Sequence, residues 1–282
     1  MTEAASKIPT DRLWKPRRLT RAGTALAALA ALTGCNVVPR TADNPGVPRP
    51  ARAAESADSP RDAKACGRYA IKKYGIDPNK LEKTGGGGQL VTVVANDASD
   101  RYGKFTAWNK DDDGCWSPAG LGSRLEQPFR SETGVKGFTP LAKRVPGSGK
   151  TPTGLFPFGD KIYGLEKQNP NQKYPYHRLK CGDWWDELKG SPTYDTYQKV
   201  GCGDTPDFAA SAEKLWQYTE SYKHFIHIDV PNPPDKAAGI FLHHRSSSVS
   251  TIGCVALPAD ELVPVLKWLD PEKDPHILIK VA

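Results

Sequence analysis

The stretch Gly239-Ile-Phe-Leu-His-His-Arg-Ser-Ser-Ser-Val-Ser-Thr-Ile-Gly-Cys-Val-Ala-Leu-Pro258 decides how this 282-residue chain is read. Gly239 to Leu242 is an apolar, strand-like run that ends in the pair His243-His244. A serine-rich loop follows, and the chain re-enters an apolar segment through Gly253 and Cys254. One short loop therefore brings a base and a thiol near each other.

A thiol is nucleophilic as the thiolate, and a free cysteine with a pKa of about 8.5 is only a few per cent ionised at neutral pH unless a neighbouring imidazole takes its proton. His243 and His244 are the candidate bases. Gly253 lets the backbone turn tightly, so the N–H groups of Ile252, Gly253 and Cys254 can point at an oxygen bound near the sulfur. One such donor is typically worth about 10² to 10³ in rate. Against this stands the plain reading: a cysteine in an apolar run is most often a small buried hydrophobe.

Ile-Phe-Leu-His243 followed by Ser250-Thr-Ile-Gly-Cys-Val-Ala-Leu-Pro258 resembles the signature of the L,D-transpeptidase catalytic domain family, the YkuD type, in which an apolar strand, a His and a loop lead to Ser/Thr-His-Gly-Cys. Val135-Lys-Gly-Phe138 with Lys150-Thr-Pro-Thr-Gly-Leu-Phe156 is similar to the upstream substrate-side loop of that family. Trp184, Trp185, Asp186 and the Ser191-Pro-Thr-Tyr194 segment match a subgroup of it. The second histidine of the common motif is Ile252 here, and the Arg or Asn two residues after the cysteine is Ala256. The resemblance runs from about Gln89 to the C-terminus. It implies a mainly β fold, a twisted sandwich or open barrel with a few short helices. It also implies Cys254 as nucleophile and His243 as base, with His244 as the alternative base or the orienter of the ring. Ser250, Thr251, Trp185 and Tyr194 are candidates for a substrate groove.

With 38% hydrophobic and 25% charged residues the chain can form a globular domain, and one near 200 residues buries about 70% of its unfolded surface. Residues 1–34 hold six basic and two acidic side chains, four of the seven net positive charges, and the remaining three are too few to argue for a nucleic-acid partner. Basic Lys15 to Arg21 precede a short apolar core, Ala22 to Leu32, too brief to span a bilayer, and Leu32-Thr-Gly-Cys35 resembles a lipobox. Residues 1–35 thus read as a lipoprotein signal peptide with Cys35 as the lipidation site, and 36–62, rich in Pro, Ala, Arg and Asp, as a flexible tether. The chain is expected to be exported and held by lipid on the outer face of the cell membrane, in the cell wall.

If Cys35 is lipidated and Cys254 is the nucleophile, four cysteines remain: Cys66, Cys115, Cys181 and Cys202. An even remainder outside the cytoplasm suggests two disulfides, and of three connectivities Cys66 with Cys115 and Cys181 with Cys202 keep each pair within one stretch of chain. No cysteines stand at Cys-x-x-Cys spacing, which argues against a metal site.

Residues 63–88 read as a short helical lead-in, with a helix from Asp62 to Tyr74, and the catalytic domain as 89–282. Gln89 to Ala95 and Lys104 to Trp108 read as paired strands. Asn109-Lys-Asp-Asp-Asp-Gly114 places oxygens at alternate positions, but the twelfth loop position is Gly120, so it reads as a hairpin turn and not a calcium loop. Gly147-Ser-Gly-Lys-Thr151 looks like the end of a phosphate-binding loop, yet its first glycine would have to be Arg144, so no nucleotide is expected. That segment reads instead as a turn lining a groove. Residues 157–210 read as long aromatic loops, Ala209 to Ser221 as a short helix, and His224 to Val230 as a strand paired with Gly239 to His244 across the turn Pro231 to Pro234. His224 and His227 read as structural. Glu261 to Leu269 reads as a helix whose first turn Pro264 ends, and His276 to Val281 as the last strand.

The expected function is that of a cell-wall L,D-transpeptidase without cofactor or metal. It acylates Cys254 with a peptidoglycan tetrapeptide stem and forms 3,3 cross-links. The alternatives are an L,D-carboxypeptidase that hydrolyses the same thioester, and a non-catalytic lipid-tethered peptidoglycan-binding module.

Overall fold

Among the described residues, fourteen strands and two short α-helices follow in the order α1 (Ile71–Tyr74), β1 (Gln89–Ala95), β2 (Tyr102–Lys110), β3 (Trp116–Pro118), β4 (Phe129–Glu132), β5 (Phe138–Pro140), β6 (Thr151–Gly164) and β7 (Tyr176–Arg178). Then follow β8 (Asp183–Asp186), β9 (Thr196–Lys199), β10 (Ala212–Lys214), β11 (Phe225–Ile228), β12 (Phe241–His244), β13 (Val255–Leu257), α2 (Ala259–Trp268) and β14 (His276–Val281). The computed structural model describes residues 65–121, 127–230, 236–248 and 250–282. The signal segment with Cys35, the tether 36–62 and the turn 231–234 lie outside the described residues.

The expected mainly β architecture is present. The main sheet runs β1-β14-β6-β11-β12-β13-β4-β2-β3, and a further pairing of β1 with β2 joins its ends, so eight strands form a hydrogen-bonded ring. A ring leaves no long unpaired edge among its members. Alternation along each strand separates two packed faces. Ile162, Ile226, Leu242 and Val255 point into the main core with Val91, Phe105 and Phe156. Helix α2 adds Leu262, Val265 and Leu266 to the same core. Their strand neighbours Tyr163, Phe225 and Phe241 turn the other way, and with Trp185, Leu215, Tyr222 and Cys254 form a second cluster. The small sheet β10-β8-β9 supplies Trp185 to that cluster. A third cluster joins Leu90, Trp108 and Trp116 with Tyr69 and Tyr74 of the lead-in. Disulfides link Cys66 to Cys115 and Cys181 to Cys202.

Four local expectations are corrected. Ala209–Ser221 is not a helix: Ala212–Lys214 pairs with Trp184–Asp186 as β10 between two single 3-10 turns, because strand pairing satisfies its backbone while Leu215 is buried. Over the described part of the lead-in, from residue 65 on, the helix is confined to Ile71–Tyr74, since the Cys66 disulfide and the Tyr69 N–H donating to Asp77 at 3.3 Å hold the chain before it. Thr151–Phe156, expected as loop, is the first part of the 14-residue strand β6, which pairs with β14 and β11 and carries small strands β5 and β7 on its flanks. Pro264 lies inside α2 and does not end it; the N–H that it lacks would have met only the carbonyl of exposed Asp260 in the first turn.

Candidate active site

Strands β12 and β13 run parallel, with Leu242 opposite Val255 and His243 opposite Ala256. A parallel pair needs a crossover that returns the chain to the start of the first strand. The loop from Arg245 to Gly253 does this, so Cys254 arrives beside Phe241, on the face that Phe241 shares with His243. Cys254 Sγ–H donates to the Gly239 carbonyl at 3.3 Å, and the Phe241 N–H donates to Sγ at 3.4 Å. The thiol is free. Thiol and imidazole line one cavity of about 240 Å³.

His243 Nδ1 lies 2.7 Å from the His244 carbonyl oxygen, which can only accept. The proton therefore sits on Nδ1, and Nε2 carries the lone pair that a base needs. Burial holds the His243 pKa down at about 4. Burial, reinforced by the Glu213 carboxyl, pushes the Cys254 thiol well up. Burial thus favours the neutral thiol and the neutral imidazole at rest. His244 points away: it is on the Leu242 side of the strand and lines a different cavity.

The motif loop is held from several sides. Thr251 is buried, its hydroxyl donates to the Cys254 carbonyl at 3.0 Å, and its own carbonyl accepts from the Val135 N–H at 3.0 Å, so the Val135–Phe138 segment abuts the loop. Ser250 Oγ accepts from Arg101 at 2.6 Å. Gly253 adopts φ of +152°, and a methyl there would stand 2.8 Å from Arg144 Nη2. Among the described residues, the N–H groups of Ile252, Gly253 and Cys254 donate no hydrogen bond, and all three residues line the cavity. Ile252, 60% exposed, forms part of the rim.

Trp185 and Tyr194 do not line the cavity, which corrects their expected place in the groove. Trp185 lies beneath it, edge-on to Phe241 with ring centroids 4.9 Å apart. Its Nε1–H donates to Asp195 at 2.8 Å, and Asp195 accepts from the Gly239 N–H at 2.9 Å, so the Trp185–Asp195 pair positions the residue whose carbonyl accepts the thiol's hydrogen bond. Tyr194 precedes that aspartate and stands near enough to Arg144 to influence its charge.

Among the cavity residues that escaped the sequence reading are Arg144, Glu187, Glu213 and Tyr222. Arg144 is 3% exposed, with Nε donating to the Lys150 carbonyl at 3.0 Å and Nη1 to the Lys236 carbonyl at 2.6 Å. Burial lowers its pKa, while the Cys254 thiol and the Glu187 carboxyl oppose that. Glu187, just past β8, lies over Gly239, where a methyl would collide with its carboxyl. Glu213 on β10 accepts from the Tyr222 hydroxyl. Burial, followed by the neighbouring Glu213, raises Glu187 to about 9, and burial raises Glu213 to about 7. Only the Trp184-Trp185-Asp186-Glu187 stretch carried any signal, through its aromatics.

The arrangement can take a thiol proton, hold a developing oxyanion, and exchange protons with an amine beside the sulfur. Compared with protein-family models, with curated proteins and with solved structures, the chain matches none of them.

Proposed function

We propose that this chain is a cysteine acyltransferase of the L,D-transpeptidase type, working on peptidoglycan stems outside the cytoplasm while anchored by lipid on Cys35. The observation that carries the reading is the free Cys254 thiol and the lone-pair nitrogen of His243 on one face of the β12–β13 ladder, in one cavity. Two disulfides in the same chain support an oxidising compartment.

Because both partners are neutral at rest, proton transfer accompanies attack. As Cys254 Sγ bonds to the stem carbonyl, its proton passes to His243 Nε2. The tetrahedral oxygen takes up negative charge facing the N–H groups of Ile252, Gly253 and Cys254, with the Arg144 guanidinium next to Gly253. The amide nitrogen of D-Ala then leaves with the proton held by His243, and a thioester remains on Cys254. The acceptor is an amine that arrives protonated. That proton can go only to an ionised carboxylate: Glu213, raised to about 7, is ionised in part at neutral pH and takes it, whereas Glu187, raised to about 9, rests protonated beside it. The amine attacks the thioester, a 3,3 cross-link forms and the thiol is restored.

Intact-mass measurement after treatment with a carbapenem should show one adduct, on Cys254. Incubation with disaccharide tetrapeptides should give cross-linked dimers. D-Ala release without dimers would assign an L,D-carboxypeptidase, and absence of both adduct and turnover would leave a non-catalytic wall-binding module.

A further inference from the structure

The wall of the Cys254 cavity contains a buried cation, Arg144. Its Nε and Nη1 donate to the Lys150 and Lys236 carbonyls at 3.0 and 2.6 Å, which fixes the plane of the guanidinium and so the direction of its third nitrogen. Nη2 stands over Gly253, where a methyl would come within 2.8 Å of it. It donates to no group among the described residues, and it is not one of the buried polar atoms cut off from solvent, so an occupant of the cavity can reach it.

No carboxylate of the described residues answers this charge, since none forms an ion pair with Arg144. The carboxyls that act on it from further off are Glu187 and Asp195. Glu187 rests protonated, because burial raises it to about 9. Asp195 accepts instead from the Trp185 ring N–H and the Gly239 N–H. A guanidinium keeps its proton at neutral pH, and a buried charge without a counter-ion is costly. The missing partner is therefore an anion that enters the cavity. The tetrahedral oxygen of the reaction meets this need only in passing, and it already faces the free N–H groups of Ile252, Gly253 and Cys254. A counter-ion for the resting complex has to be a charge that the substrate carries throughout.

Resting on the acyl-transfer reading above, we propose that Arg144 Nη2 binds the free α-carboxylate of the leaving residue, and so selects stems that end one residue beyond the carbonyl Cys254 attacks. Only the amide nitrogen and one Cα separate that carbonyl carbon from the carboxylate. With the carbonyl oxygen at the N–H groups of the Gly253 turn, the carboxylate lies beside it, where Nη2 waits. Arg144 makes and breaks no covalent bond: Sγ bonds to the carbonyl carbon, the C–N bond breaks, the nitrogen leaves with the proton from His243, and the released amino acid keeps its carboxylate. A C-terminal carboxamide carries no charge and leaves the guanidinium unpaired. One further residue carries the charge about 3.5 Å past Nη2.

The test uses the full chain with Cys254→Ala, which can bind a stem and cannot acylate. It is titrated calorimetrically with a disaccharide tetrapeptide, with the C-terminal carboxamide of the same compound and with the pentapeptide, while the guanidinium nitrogen resonances of Arg144 are followed. The tetrapeptide acid should bind about 10 to 10² times tighter than the other two, the difference that one hydrogen bond between charged groups makes, and it alone should move the Arg144 signals. With Cys254 intact, Arg144→Gln should lower kcat/KM for the acid by the same factor and leave the carboxamide nearly unchanged. Equal binding of the acid and either of the others, or an acid preference that moves no Arg144 signal, overturns the proposal. So does equal slowing of acid and carboxamide by Arg144→Gln, which would put the guanidinium to work on the tetrahedral oxygen. The binding arm keeps Arg144 in place and decides the matter even where Arg144→Gln does not fold. Carbapenem treatment of the parent separates this site from the reading it rests on. An adduct on Cys254 with no preference for the acid keeps the transferase and removes the carboxylate site. Preference for the acid without adduct or turnover keeps the carboxylate site and removes the transferase.

Discussion

A buried thiol with a raised pKa would be inert if it had to ionise before reacting, so the chemistry of Cys254 depends on where its proton can go at the moment of attack. His243 offers a free Nε2 and His244 faces another cavity. His243→Ala should therefore slow acylation by a carbapenem about 10² to 10⁴-fold, whereas His244→Ala leaves most of the rate. Loss of acylation in the second variant and not in the first would reassign the base. Protonation of His243 removes the acceptor, and its pKa is held at about 4, so the acylation rate should rise as pH climbs through about 4 and be flat by pH 6. A midpoint near 6.5 would mean that the ring is solvated in solution. The pair was legible in sequence because one loop carries both partners. Arg144, Glu187, Glu213 and Tyr222 were not, because they come from four separated segments and meet only when the small sheet closes against the barrel. Arg144 entered the sequence reading only as the residue that spoils a phosphate-loop pattern.

At the scale of elements, short apolar runs bounded by turn residues were readable whether buried continuously, as β1 and β12 are, or alternately, as β14 is, and a strand interrupted by Pro and Gly was not. Gln89–Ala95, the Phe241–His244 run and His276–Val281 stood out as apolar segments between turn signals. Strand β6 contains Pro152, Pro157 and three glycines, which sequence reasoning takes for loop, yet its long run of partners, β14, β11, β5 and β7, holds it extended. The Ala209–Ser221 segment has helical spacing, but β8 offers it a ladder, and tertiary pairing overrode local propensity. That ladder has a functional consequence, since β10 carries Glu213 into the cavity and Glu187 follows β8. The Cys181–Cys202 bridge closes the same region across a sequence separation of 21. Chain-entropy arguments assign such a closure about 3 kcal/mol. The double variant Cys181→Ser with Cys202→Ser should lose roughly that much in denaturant unfolding. Because the bridge steadies the carboxyls and not the thiol, the variant should keep its carbapenem adduct while its ratio of dimer to released D-Ala falls. An unchanged ratio would separate the small sheet from acceptor handling.

For the whole molecule, the site places opposing demands on stability. His243 and His244 have folded pKa values lowered to about 4, so their contribution is present above the ordinary value of 6.5 and is lost as pH falls toward 4. Glu187 and Glu213 are raised to about 9 and about 7, so theirs is complete below the ordinary 4.5 and is lost as pH rises through those values. Cys254, also raised, acts in the same direction above its ordinary 9. Of these four groups, the two histidines gain between about pH 4.5 and 6.5 what the two carboxyls lose, which gives a plateau, and above 6.5 the loss continues through Glu213 to about 7 and through Glu187 to about 9, which gives a fall. The ring of eight strands makes that local charge a global matter, because β12 and β13 are members of the ring and cannot open alone. Each kcal/mol lost in a domain of this size lowers Tm by about 2–4 °C. Melting curves should therefore be flat from pH 4.5 to 6.5 and decline toward pH 9, and Glu187→Gln with Glu213→Gln should flatten the decline. If the double variant melts along the parent's alkaline slope, the two carboxyls are already ionised in the folded protein over that range, and the alkaline fall belongs to other groups.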